Sequence, residues 1–236
     1  IPFHPKVVEH MIGDVCERYV IGADPFKIEK LWRLVYGSGF TLRPDISIMG
    51  ILSAIEMACW DIIGKELNKP IYELLGGQVH EKLRAYSYLY PESQDKLCVY
   101  SDPETAAKRA VEYVEKGFTA VKFDPVGPYS VFDPRQLSLE ALEHTEKFVK
   151  IVREAVGNKC DLLIGTHGQM TTSGAIRLAR RLEKFDPLWF EEPVPPENPE
   201  EMSKVAHQTS IPIATGERLA TKYEFARLLA TQAASI

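Results

Sequence analysis

Covalent cross-links have little to work with in this chain. It holds only four cysteines, Cys16, Cys59, Cys98 and Cys160, widely scattered and without a CxxC spacing. That excludes a disulfide framework or a cysteine-built zinc site, and the four read as reduced thiols of a cytoplasmic protein. Basic charge is also lacking: a net charge of −5 gives no footprint for nucleic acid. No unbroken run of 18 apolar residues occurs, so no membrane span is expected. The opening Ile1-Pro2-Phe3-His4 has none of the pattern of a signal peptide. What is present is the mixture of an ordinary globular protein, 45% hydrophobic and 26% charged over 236 residues, enough for one large or two modest domains.

Two grammars follow one another along the chain. From Asp24 to Leu75 the pattern is helical. Asp24-Pro25 offers an N-cap followed by proline at the first helical position, and Phe26, Ile28, Leu31, Trp32 and Val35 recur at helical spacing until Gly37-Ser38-Gly39. A longer helix is expected over Ile46–Leu67, apolar and rich in small residues that suit burial, then a short one over Pro70–Leu75 stopped by Gly76-Gly77. After Gly77 strands and helices alternate. Strands are expected at Leu83–Leu89, Phe118–Phe123, Asp161–Ile164, Leu188–Phe190 and Ile211–Ala214, and Ala233–Ile236 reads as the beginning of a sixth. Helices are expected at Pro103–Lys116, Leu137–Val156, Thr172–Lys184, Glu200–Gln208 and Tyr223–Thr231. Strict alternation of this kind implies a parallel sheet.

Two phrases stand out, Trp189-Phe190-Glu191-Glu192-Pro193 and Ala214-Thr215-Gly216-Glu217-Arg218. Each is a short apolar run that ends abruptly in a carboxylate. Glu191 and Glu217 lie one strand–helix unit apart, so parallel strands bring both to the same end of the sheet, the active-site face of a (β/α)₈ barrel. Two such carboxylates would repel unless a cation lay between them, and oxygen ligands favour a hard one such as Mg²⁺. The competing reading of each is a solvated loop carboxylate. Glu192 must point differently from Glu191, because strand side chains alternate, and a supporting role suits it.

These motifs, in this order, resemble the enolase superfamily in its mandelate racemase and sugar-acid dehydratase branch. Gly50 through Lys65, with Ala58-Cys59-Trp60-Asp61 at its centre, resembles the family's linking helix, followed by Pro70 and Leu74-Leu75-Gly76-Gly77. Ala120-Val121-Lys122, Gly165-Thr166-His167-Gly168, Phe190-Glu191-Glu192-Pro193 and Gly216-Glu217 resemble the ends of barrel strands two to five. The resemblance implies an α/β fold: a TIM-like (β/α) barrel with an N-terminal α+β capping domain, both incomplete in this chain. Residues 1–80 would be the helical part of the cap and the linking helix; residues 81–236 would be barrel strands one to five and the start of six. The family's opening cap strands would then precede Ile1, and strands six to eight, which supply a His-Asp base, would follow Ile236.

The resemblance also implies chemistry. The family binds Mg²⁺ with carboxylates on strands three, four and five and removes the proton beside a substrate carboxylate, the metal stabilising the enediolate. This chain departs from the pattern twice. Gly165 stands where the family has the strand-three aspartate ligand, although it also suits a tight turn. Lys122-Phe123-Asp124 stands where a Lys-x-Lys pair supplies a base. Lys122 remains to neutralise a substrate carboxylate. Asp124, which a bland reading leaves solvated at a loop start, would be able to reach across Gly165 and join Glu191 and Glu217 as a metal ligand; His167 as a nitrogen ligand is the rival. In dehydratases of this branch a histidine at the place of His167 is the general acid for the departing hydroxyl, whereas a lone histidine is more often a hydrogen-bonded loop residue. Arg43 and Pro44 are candidates for a substrate contact. The expected function is therefore Mg²⁺-dependent dehydration of a sugar acid by a homo-oligomeric enzyme with no nucleic-acid or membrane partner. A racemase, epimerase or cycloisomerase on related chemistry, and a non-catalytic acid-binding relative, stay open beside it.

Overall fold

The computed structural model describes residues 3–39, 45–127 and 136–236. Arg43, Pro44 and most of the loop from Pro125 to Gln136 lie outside them. The chain divides into two compact units, Ile1–Leu83 and Arg84–Ile236.

The first unit is helical. α1 (Pro5–Val15), to which the sequence pattern assigns no element, starts with proline at its first position and runs into a single π-helical turn, Cys16–Val20. α2 (Ile28–Tyr36) begins later than the Asp24-Pro25 signal predicts. Asp24 uses its side chain locally: Oδ1 accepts from Phe26 N at 3.0 Å while its carbonyl accepts from Lys27 N, so the capping residue closes a turn instead of a helix. α3 (Ile46–Leu67) has the expected bounds. Asp45 caps it, Oδ1 accepting from Ser47 N at 2.7 Å and Ile48 N at 3.1 Å, and Asn68 ends it in the left-handed region at φ 49°. α1 and α2 both pack on α3, with Leu31, Val35, Ile51 and Leu52 buried. By length and composition alone α3 is long and apolar enough to cross a membrane, the one such helix among the described residues, although Glu56 and Asp61 break its apolar run. α4 (Ile71–Leu74) completes the unit.

The second unit alternates as the pattern predicts: β1 (Ser87–Tyr88), α5 (Pro103–Glu115), β2 (Ala120–Phe123), α6 (Leu139–Val156), β3 (Asp161–Gly165), α7 (Thr172–Leu182) with a 3₁₀ turn Glu183–Phe185, β4 (Trp189–Glu191), α8 (Pro199–Ala206), β5 (Ile213–Ala214) and α9 (Thr221–Thr231). The five strands form one parallel sheet in chain order. Four strands start later than expected. At β1 the cause is visible: Leu83 is exposed, and Arg84 reaches back by its side chain to Thr119 and Asp161 at 2.6–2.8 Å, so this stretch is tied by a guanidinium and not by ladder bonds. Residues 233–236 lie against β5, Ser235 N and Ile236 N both donating to the Ile213 carbonyl and Thr215 N to that of Ile236.

Strand alternation splits the sheet into two chemistries. Val121, Phe123, Leu162, Ile164, Phe190 and Ile213 turn toward the helices and form the core with Ala106, Leu142, Phe148, Val152 and Leu178; Phe123 stacks on Phe148 with centroids 5.7 Å apart. The other face carries Tyr88, Lys122, Leu163 and Trp189 in one register and Gly165 and Glu191 in the next. Asp124 follows β2 directly. The hydrophobic side thus fixes which residues share the opposite face.

Candidate active site at the carboxyl ends of the strands

Glu191 closes β4 and pairs in register with Gly165 of β3 and Ala214 of β5, three residues before Glu217. The parallel sheet therefore brings Glu191 and Glu217 to one end, as do the positions of Lys122, Asp124 and His167. Glu191 has a donor on each oxygen. The buried ammonium of Lys122 gives 2.5 Å to Oε1, and the indole Nε1 of Trp189 gives 3.0 Å to Oε2. Lys122 also lies 5.9 Å from the centre of the Tyr88 ring, and Tyr88 packs against Tyr90 and Tyr100, which makes an aromatic wall beside the lysine. Burial pushes the Tyr100 hydroxyl up, with the charges of Tyr90 and Asp124 acting in the same direction.

Asp124 lies across Gly165. A Cβ built at position 165 would fall 2.1 Å from Asp124 Oδ1. The other carboxylate oxygen, Oδ2, stands 3.3 Å from His167 Nδ1. That hydrogen bond raises the His167 pKa above the usual imidazole value. Partial burial of the ring opposes it; the charges of Asp124 and Glu217 act with it, and Lys122 against it. Glu217 thus belongs to the same electrostatic neighbourhood, although its side chain is exposed on the turn after β5.

The loops that present these groups are stitched together. His167 is left-handed at φ 52° and Gly168 follows at φ 73°. The buried Thr166 hydroxyl lies against the carbonyls of Glu191 and Glu192 at 2.8 and 2.9 Å, and Gly168 N donates to the Glu192 carbonyl at 2.6 Å. Glu192 takes a supporting place: only 1% exposed, it accepts from Thr215 Oγ1 at 3.1 Å and Arg218 Nε at 2.7 Å, clamping the Glu217 turn to the end of β4. The Trp189–Glu191 bond and the Arg218 clamp are additions the motifs did not single out. For Trp189 a signal existed, since two-residue spacing puts it on the same strand face as Glu191. For Arg218 only its place beside Glu217 was visible.

The donors at this end are of the hard-oxygen kind that suits Mg²⁺, and a cation, the Lys122 ammonium, already sits on Glu191. Position 165 is a cradle that a Cβ would fill and that a carboxylate oxygen fills instead. Among the described residues no three acidic, histidine or cysteine side chains are gathered closely enough to hold an ion as they stand. The donor set fits a divalent ion in kind, and binding would have to draw its members together.

A parallel strand–helix array with acidic side chains at the carboxyl ends of its strands is the architecture of a (β/α) barrel enzyme fold. Residues 105–236 match the family description "Enolase C-terminal domain-like", and residues 4–76 match "Mandelate racemase / muconate lactonizing enzyme, N-terminal domain". The chain belongs to the mandelate racemase/muconate lactonizing enzyme family of the enolase superfamily. It is 37% identical over 216 residues to a D-gluconate/D-galactonate dehydratase of Picrophilus torridus, across 90% of this chain and 52% of that protein. It is 36% identical to a D-galactonate dehydratase of Xanthomonas euvesicatoria pv. vesicatoria, across 89% of this chain and 52% of that protein. A structure from Labrenzia alexandrii DFL-11, described within the mandelate racemase/muconate lactonizing enzymes, is 62% identical with a TM-score of 0.94, covering 99% of this chain and 60% of that one. The chain thus spans about half the length of these curated relatives (52%).

Proposed function

We propose that the protein acts as a lyase that dehydrates a sugar acid with the help of Mg²⁺, losing the proton next to the carboxylate and the hydroxyl on the adjacent carbon. The observation that carries this reading is the pairing of His167 with Asp124 beside the Lys122–Glu191 pair, on a chain whose relatives include sugar-acid dehydratases. Glu191 and Glu217 would hold the ion, whose charge, when bound, stabilises the substrate carboxylate as the α-proton leaves. Lys122 adds a second positive charge for that carboxylate, set against Tyr88 and kept largely from water. Asp124 fixes Nδ1 of His167, which leaves Nε2 to carry the proton that departs with the hydroxyl as water. The bond from the α-carbon to hydrogen and the bond from the neighbouring carbon to oxygen break, and the product is a 2-keto-3-deoxy acid. The α-proton acceptor is assigned to later strands, as the family resemblance implies.

His167→Asn tests the assignment. It should abolish dehydration of responsive acid sugars while exchange of the α-hydrogen in deuterated solvent, read by mass or NMR, continues. Dehydration at the parent rate in the variant would exclude His167 as the acid. Loss of both steps with intact Mg²⁺ binding would make it the base. A product of unchanged mass from the parent protein would indicate a racemase, epimerase or cycloisomerase.

A further inference from the structure

Position 165 is one of the two places where this chain departs from its family, which by resemblance carries a carboxylate ligand there. The register places three positions abreast: Phe123 pairs with Ile164, so Asp124 comes level with Gly165, and Gly165 pairs with Glu191. A Cβ at 165 would lie 2.1 Å from Asp124 Oδ1, 3.3 Å from Asp124 Cγ and 3.4 Å from Lys122 Cε. The first of these is a distance that no real Cβ contact tolerates. The carboxylate from strand two therefore occupies the volume in which a strand-three side chain would begin. It is nearly buried; Oδ2 faces His167 and Oδ1 lies over Gly165.

We propose that Asp124 is the third oxygen ligand of the cation site, supplied from strand two across Gly165 in place of a strand-three carboxylate. Gly165 is then a requirement of the site and not an omission, because any side chain there would push the Asp124 carboxylate aside. The inference rests on the reading of Glu191 and Glu217 as ligands. In the geometry described the Lys122 ammonium neutralises Glu191 Oε1 at 2.5 Å. A divalent ion held by three oxygen ligands would compete with that ammonium for Glu191, and Lys122 would then be available to the substrate carboxylate.

The test measures binding of Mg²⁺ alone to the purified protein by calorimetry, without substrate. Asp124→Asn keeps the shape and removes the charge. It should weaken Mg²⁺ binding by at least about 10- to 100-fold, the range seen even for residues that only support metal ligands. The swap Asp124→Gly with Gly165→Asp should bind again, because with the strand-two side chain gone position 165 returns a carboxylate to the same volume. His167→Asn, which removes only a support of Asp124, should cost clearly less than Asp124→Asn does, no more than about 10-fold, the lower end of that range, and Glu191→Gln should abolish binding. Unchanged affinity in Asp124→Asn, with binding lost in Glu191→Gln, would overturn the proposal and leave the cation reading standing. A loss in Asp124→Asn matched by His167→Asn would overturn it in favour of Asp124 as a support for the histidine. If neither Asp124→Asn nor Glu191→Gln changes the titration, the cation reading itself fails. Should Asp124→Asn melt before assay temperature, the swap Asp124→Gly with Gly165→Asp takes its place: a folded swap that binds Mg²⁺ supports the relocation, and a folded swap that does not bind it overturns it.

Discussion

Gly168 carries much of the geometry at the residue scale. Its φ of +73° follows the left-handed His167, and a Cβ there would meet Arg218 Nη2 at 2.6 Å and the backbone Cα of Pro195 at 3.1 Å. Arg218 is able to yield, being the end of a flexible side chain, but the Pro195 backbone yields less easily. Gly168→Ala is therefore expected to lower stability by about 1–2 kcal/mol, the cost of forcing an L-residue into the left-handed region, read as a lower urea midpoint with an unchanged slope. Unaltered stability would mean that the turn adjusts without strain. The His-Gly dipeptide was visible in the sequence. The left-handed backbone at His167 was not, because it is imposed by the Thr166 and Gly168 bonds to the β4 end, contacts some 25 residues away along the chain.

Between elements, ionised side chains do much of the joining. Arg109 of α5 is buried and holds the stretch after β1 by the Tyr90 carbonyl at 2.7 Å, Glu92 at 3.1 Å and Asp95 at 2.7 Å, with Glu112 of its own helix at 2.9 Å. Glu146 of α6 takes Arg181 of α7 and Lys184 of the following 3₁₀ turn, and Glu183 takes Ser210 and Thr209 ahead of β5. The Lys184 hydrogen bond is the largest cause holding the Glu146 pKa below the usual carboxylate value; for Glu183 it is the Ser210 backbone N–H. A folded pKa below the unfolded one contributes stability that is fully present above the unfolded value, about 4.3, and is lost as pH falls through the folded value. The part of the melting temperature owed to these two carboxylates should thus be level from about pH 7 to 5 and fall below that. Glu146→Gln should lower the plateau and flatten the acid limb; an acid limb identical to that of the parent would show that this carboxylate does not couple the helices. Such links escape a sequence reading, which sees period and not partners. The alternation from β1 to α9 was legible because apolar residues repeat at two distinct periods between glycine and proline stops. α1 was missed because it buries only Val15 and so leaves a weak apolar stripe.

Across the whole molecule, the sequence showed which residues share the carboxyl ends of the strands, because parallel alternation fixes that without any knowledge of contacts. How those residues pair is beyond it: Lys122 reaches Glu191, a residue 69 positions away. The same arrangement gives the protein an optical property. Of its three tryptophans, Trp32 and Trp60 lie in the first unit, while Trp189 donates its indole N–H to Glu191 and meets the ring of Tyr86 edge-on at 5.5 Å. Indole emission responds to the charge beside it, so a carboxylate that changes its partner changes the colour of Trp189. Adding Mg²⁺ should shift the emission of the parent protein and leave that of Trp189→Phe, which retains the other two indoles, where it was. A shift of equal size in both would place its origin outside this strand end. If a cation takes Glu191, the chromophore that records it is built into the strand that carries that residue, and occupancy would be a spectral quantity that needs no label.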